Sequence, residues 1–153
     1  MRFSYSEWRG WTKATGPSLW RTAGLKTSRS AAVLVVDDDA IVAEMYRIAL
    51  VRGGYDVLVA RDGPAALQLA AASAPAIIFL DIRMPHMDGV EVLQRLAADA
   101  ALSQIPVVML SNYDDNNLID RCLNLGAKEY LVKVNLNPND LATVASRWIT
   151  PIE

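Results

Sequence analysis

A chain of 153 residues, 52% of them hydrophobic, can bury one good core but is too short for two ordinary domains, so one domain plus a tail is expected. No apolar run approaches the roughly 18 residues of a membrane-spanning helix, and the N-terminus lacks the apolar core of a secretory signal; the expectation is a soluble, cytoplasmic protein. The single Cys122 and single His86 leave neither an internal disulfide nor a soft-ligand cluster for zinc, so any metal is expected on oxygen.

The net charge of -2 hides an asymmetry. Residues 1–30 carry six basic side chains and the single acid Glu7, a balance of +5 that leaves -7 for the rest. This segment also holds Trp8, Trp11 and Trp20, with glycines and Pro17 interrupting any periodicity. A basic, Trp-containing, disordered arm or tag is expected there, with the domain over 31–153. It could touch acidic lipid or nucleic acid, or it could be an expression remnant, a mis-assigned start or a solvated tail.

From Ala31 the chain alternates short apolar runs with helical patterns. AAVLVV (31–36) is a buried strand, and Asp39 to Val51 reads as a helix with Ile41, Met45, Ile48 and Ala49 at helical spacing, stopped by Gly53-Gly54. YDVLVA (55–60) is a second strand; Asp62-Gly63-Pro64 opens a helix through Ala72, and AIIFL (76–80) is the third strand. Gly89 to Asp99 is a helix with Val90, Leu93, Leu96 and Ala97 inward, and VVML (107–110) follows Pro106 as a strand. Asp114 to Leu125 is helical with Gly126 as its cap, EYLVK (129–133) is the fifth strand, and Pro138 to Ile149 is a helix presenting Leu141, Val144, Ala145 and Trp148 on one face. Five strands alternating with five helices imply right-handed crossovers and a doubly wound α/β domain with a parallel sheet covered on both faces.

Ligands of an open parallel sheet bind outside the carboxyl ends of its strands. Asp37-Asp38-Asp39 follow the first strand, Asp81 the third and Ser111-Asn112 the fourth, while Lys133 ends the fifth. Carboxylates gathered in one pocket repel each other unless a cation intervenes, and hard oxygen ligands suit Mg²⁺ beside a phosphate. An acidic nucleophile, a metal site, a hydroxyl and an ammonium match phosphoryl transfer.

VLVVDDD, FLDIRMPHMDG, MLS and EYLVK, in that order, make residues 32–150 resemble the receiver domain of a bacterial two-component response regulator. The resemblance implies a flavodoxin-like, CheY-like sheet of order 2-1-3-4-5. Asp81 resembles the aspartate phosphorylated by a histidine kinase or phosphotransfer protein, and Asp37 and Asp38 the acidic pair that binds Mg²⁺ with it, Asp38 the more direct ligand. Arg83 stands where the family contributes a backbone carbonyl to the metal. Ser111 resembles the switch hydroxyl, Tyr130 the aromatic whose rotamer follows it, and Lys133 the lysine that pairs with the phosphate. Pro85 and Gly89 shape the loop beyond Asp81, Gly89 by supplying a backbone geometry that a Cβ would obstruct. The function implied is a stand-alone signalling receiver, not an enzyme with an external substrate. Phosphorylation would switch protein contacts at the fourth helix, fifth strand and fifth helix, with no DNA-binding domain attached.

Plainer roles stand beside these. Asp39 and Asp88 suit helix N-termini, Ser111 could be a cap and Lys133 a solvated lysine. Tyr130 could pack on an edge strand, His86 reads as loop surface, and Cys122 as a small apolar side chain on the fourth helix.

Two departures from the family stand out. Val134 follows the lysine where most receivers have a proline reached through a cis bond; a cis bond before Val134 would cost roughly 2.5–4 kcal/mol, so trans is expected and the lysine's reach is in question. Tyr113 is bulky where many relatives carry something smaller, and with Arg83 it is expected to restrict the water that hydrolyses a phosphoryl group on Asp81. The rivals are a pseudo-receiver that binds constitutively, a phosphohydrolase, which lacks a second acid two positions after Asp81, and a flavin-binding relative, whose phosphate cradle the acidic loop opposes.

Overall fold

The computed structural model describes residues 31–149; the arm expected at residues 1–30 lies outside them. The elements are β1 (Ala32–Val36), α1 (Ala40–Arg52), β2 (Asp56–Ala60), α2 (Gly63–Ser73), β3 (Ile77–Asp81) and α3 (Gly89–Ala98), then β4 (Val107–Ser111), α4 (Asn116–Asn124), β5 (Glu129–Val132) and α5 (Asp140–Trp148). All strand pairs are parallel, in the expected order β2-β1-β3-β4-β5.

The unbroken apolar runs reflect burial on both faces. Successive residues of a strand point to opposite sides, so Val33, Val35, Ile77, Phe79, Val108 and Leu110 form one layer with Tyr46 and Leu50 of α1 and Leu141, Val144 and Ala145 of α5. Leu34, Val36, Ile78, Leu80 and Met109 form the other, with Ala66 and Ala70 of α2, Val90, Leu93 and Leu96 of α3, and Cys122 of α4. Each fully buried Leu, Ile or Phe contributes roughly 1.5–3 kcal/mol, so this double core holds the strand ends that carry polar groups. Gly53 lets α1 close on α5, since a Cβ there would come within 2.6 Å of the Ala142 Cβ.

Several details differ from expectation. Of the four residues whose spacing marks α1, only Ala49 is buried; Ile41, Met45 and Ile48 are exposed, because the helix turns its Ala43, Tyr46 and Leu50 face to the sheet. In α3, Ala97 is exposed and Val92 is buried instead. Helix α4 starts at Asn116 because the Asp115 carboxylate accepts the N–H groups of Asn117 and Leu118, and α5 starts at Asp140. Strand β5 ends at Val132, so Lys133 opens a 3₁₀ turn, Lys133–Asn135, rather than ending the strand. Among the described residues no peptide bond is cis, and no helix is long and apolar enough to cross a membrane.

Candidate functional site

Strand order reverses at β1, so the ends of β1 and β3 meet at the switch point, where open α/β sheets form their ligand crevice. Asp37 follows β1 directly and is only 1% exposed. Its Oδ1 accepts the Asp39 N–H at 2.9 Å and its Oδ2 accepts from Lys133 Nζ at 2.8 Å. Asp39 caps α1 as expected, its carboxylate accepting the N–H groups of Ile41 and Val42. Asp38, between them, is only partly buried.

Asp81 is the last residue of β3, 5% exposed, with its Oδ1 3.2 Å from Lys133 Nζ. Lys133 therefore bridges the two buried carboxylates across a trans bond to Val134, the 3₁₀ turn aiming the ammonium inward. Burial, reinforced by the charge of Asp37 and opposed by Lys133, pushes the Asp81 carboxyl up to about 6. Burial works against the charged form of Lys133, but its hydrogen bond to Asp37 and the charge of Asp81 prevail and its pKa is raised.

One oxygen from each of Asp37, Asp38 and Asp81 lies within 4.8 Å of the others. Three carboxylates against one ammonium leave an excess of negative charge, and every donor is a hard oxygen. That set fits Mg²⁺, which is held by a few carboxylates and keeps several waters. The cleft around it, about 370 Å³, is lined also by Arg83, Asn112, Tyr113 and Val134.

Ser111 ends β4 one residue behind that lining, 1% exposed, its Oγ accepting the Tyr113 N–H at 3.0 Å. Tyr130 on β5 stands off the acidic cluster and donates its hydroxyl to the Tyr113 carbonyl at 2.7 Å. The Arg83 guanidinium lies 4.6 Å from the centroid of the Tyr113 ring, a cation–π distance. Asp88 caps α3, Cys122 is buried on α4, and His86 sits exposed on the β3–α3 loop with φ of 70°.

Residues 33–146 match the family model described as the response regulator receiver domain. The chain belongs to that family. Its curated relatives include the response regulator PleD of Caulobacter vibrioides, 39% identical over 104 residues, which cover 68% of this chain and 23% of PleD. The DNA-binding response regulator MtrA of Mycobacterium tuberculosis is 40% identical over 101 residues, 66% of this chain and 43% of MtrA. The chain thus spans less than half the length of these relatives. Among solved structures, the chemotaxis protein CheY4 of Vibrio cholerae superposes with a TM-score of 0.73 at 30% identity, covering 78% of this chain and 99% of CheY4. A Francisella receiver domain gives 0.72 at 29%, covering 78% and 96%. Receiver domains are signalling modules that bind Mg²⁺ at an acidic cluster, and this receiver carries such a group of carboxylates.

Two residues at the site were not picked out from the sequence. Tyr46 lines the cleft from α1, its hydroxyl pKa raised by burial. Arg61, the residue after β2, donates from Nη2 to the Asp38 carbonyl at 3.0 Å. The signal for Arg61 was present, because the residue after each strand of an open parallel sheet is a candidate for the crevice, β2 included.

Proposed function

We propose that this receiver accepts a phosphoryl group on Asp81 from a histidine kinase or phosphotransfer protein and uses it to switch protein–protein contacts. The observation that carries the reading is the convergence of Asp37, Asp38 and Asp81 on one cleft with Lys133 bridging two of them. An Asp81 carboxylate oxygen attacks phosphorus, the P–N bond to the donor imidazole breaks, and its electron pair returns to the ring nitrogen, which takes up a proton. Hydrolysis undoes the transfer: water attacks phosphorus and the P–O bond to Asp81 breaks, its electron pair returning to the carboxylate. Inorganic phosphate leaves with the water's oxygen, and the water's protons pass to phosphate and solvent.

Asp37, Asp38, Asp81 and the Arg83 backbone carbonyl would hold Mg²⁺, which when bound offsets charge on the transferring oxygens. Lys133, 3.2 Å from the Asp81 carboxylate, would pair with a phosphoryl oxygen there. Ser111, whose Oγ accepts the Tyr113 N–H, would turn to donate its own O–H to that oxygen, and Tyr130, tied to the Tyr113 carbonyl, would follow. The change passes to the α4, β5 and α5 face, where the output partner binds.

The rim supports a protein donor. Met45 of α1 and Val134, 45% and 79% exposed, line the acidic cleft with apolar surface, and Ile41 and Ile48 are exposed on the same helix. A cytoplasmic setting accords with the buried free thiol of Cys122. The rival, a constitutively binding pseudo-receiver, drew on Val134; the short Lys133 contacts weaken it. The test is intact mass after incubation with Mg²⁺ and acetyl phosphate. One added phosphoryl group, absent with chelator and in Asp81→Asn, is expected; no addition under any condition favours the rival.

A further inference from the structure

We propose that Arg61 is a positioning residue for the metal site, holding the β1–α1 loop so that the Asp38 carboxylate reaches the cation. The inference rests on the Mg²⁺ reading of the acidic cluster. Each of the other two carboxylates is already restrained: Asp37 by Lys133 and the Asp39 N–H, Asp81 by its place at the buried end of β3. Asp38 is only partly buried, and among the described residues its one hydrogen bond is from Arg61 Nη2 to its backbone carbonyl, at 3.0 Å.

The neighbouring contact makes this a two-point clamp. Ala60 accepts the Asp37 N–H at 3.1 Å, and the next residue, Arg61, donates to Asp38, so the end of β2 grips two consecutive residues of the acidic loop. Arg61 is itself fixed in the chain, because Asp62 follows it and caps α2 through the Ala65 N–H.

Charge alone predicts the opposite outcome. A guanidinium near a cation site repels the cation, so removing it would tighten Mg²⁺ binding if Arg61 acted only as a charge. That repulsion acts through solvent and is screened by salt, whereas the hydrogen bond fixes a loop whose disorder must otherwise be overcome on binding.

The experiment is an Mg²⁺ titration of the full chain followed by ¹H–¹⁵N NMR at physiological salt, which reports folding in the same spectra. Arg61→Ala is expected to weaken Mg²⁺ binding about fivefold, the size of one modest hydrogen bond, and Arg61→Lys to recover most of it. In an Asp38→Asn background the same Arg61→Ala change is expected to have no effect, since the two residues act as one unit. Unchanged or tighter binding in Arg61→Ala overturns the proposal, as does an equal loss with and without Asp38. A wild-type chain that shows no saturable Mg²⁺ response overturns the metal reading itself, and this inference with it.

Discussion

Gly89 lies against the backbone of Asp81 so closely that a Cβ at Gly89 would stand 2.1 Å from the Asp81 carbonyl oxygen and 2.9 Å from the Ile82 Cα. The Gly89 N–H donates to the Ile82 carbonyl at 2.8 Å, which closes the β3–α3 loop beneath the carboxylate. The need for glycine is close approach, since no flexible side chain is there to yield. Gly89→Ala should therefore cost about 2 kcal/mol or more, read as a lower urea midpoint, and reduce phosphoryl uptake. An unchanged midpoint would show that the loop is looser than this contact implies.

Asp81 should be a liability to the metal-free fold. Its carboxyl is held at about 6 against an ordinary 3.8, so the folded state binds the proton more tightly. The resulting contribution to stability is fully present below the unfolded pKa and is lost as pH rises through about 6. In chelator at pH 8, Asp81→Asn should be more stable than wild type by about 2 kcal/mol, with the gain shrinking as pH falls toward 4. Equal stability at both pH values would contradict this.

Lys133 should be the counterweight. It is 12% exposed and contacts two carboxylates that are still more buried, so its removal leaves them without a cation. Lys133→Met should destabilise the metal-free protein by about 3 kcal/mol, and saturating Mg²⁺ should recover part of the loss. Denaturation with and without Mg²⁺ checks this; a loss indifferent to Mg²⁺ would place the lysine's role outside the acidic cluster.

Tyr113 and Arg83, stacked 4.6 Å apart at the cleft, should slow hydrolysis of phosphorylated Asp81. Tyr113→Ala and Arg83→Ala should each speed dephosphorylation about tenfold, a barrier change of about 1.4 kcal/mol, and the double variant should gain less than the two combined. A decay rate unmoved by Tyr113→Ala would end the idea that this pair screens the phosphoryl group.

The alternation of Val-rich runs with helical patterns carried the fold, because a sheet buried on both faces leaves no polar residue inside its strands. Asp37, Asp81 and Ser111 stood out for the same reason: each is a polar residue at the end of a buried strand. The exposed α1 stripe of Ile41, Met45 and Ile48 was not legible as such, since spacing reveals an apolar face without saying whether sheet or solvent receives it. The links from Tyr113 to Ser111 and Tyr130 were also hidden, because both run through backbone atoms that any residue would offer. Val134 illustrates the reverse case. The departure from proline was visible, while the 3₁₀ turn that keeps Lys133 on both carboxylates was not.

The most direct measurement locates the phosphoryl group. The protein, treated with Mg²⁺ and acetyl phosphate, is quenched with borohydride, which reduces an aspartyl phosphate to homoserine, and its peptides are sequenced by tandem mass spectrometry. The account predicts homoserine at position 81 and at no other aspartate; conversion at another aspartate instead, or none while the protein binds Mg²⁺ normally, would contradict it.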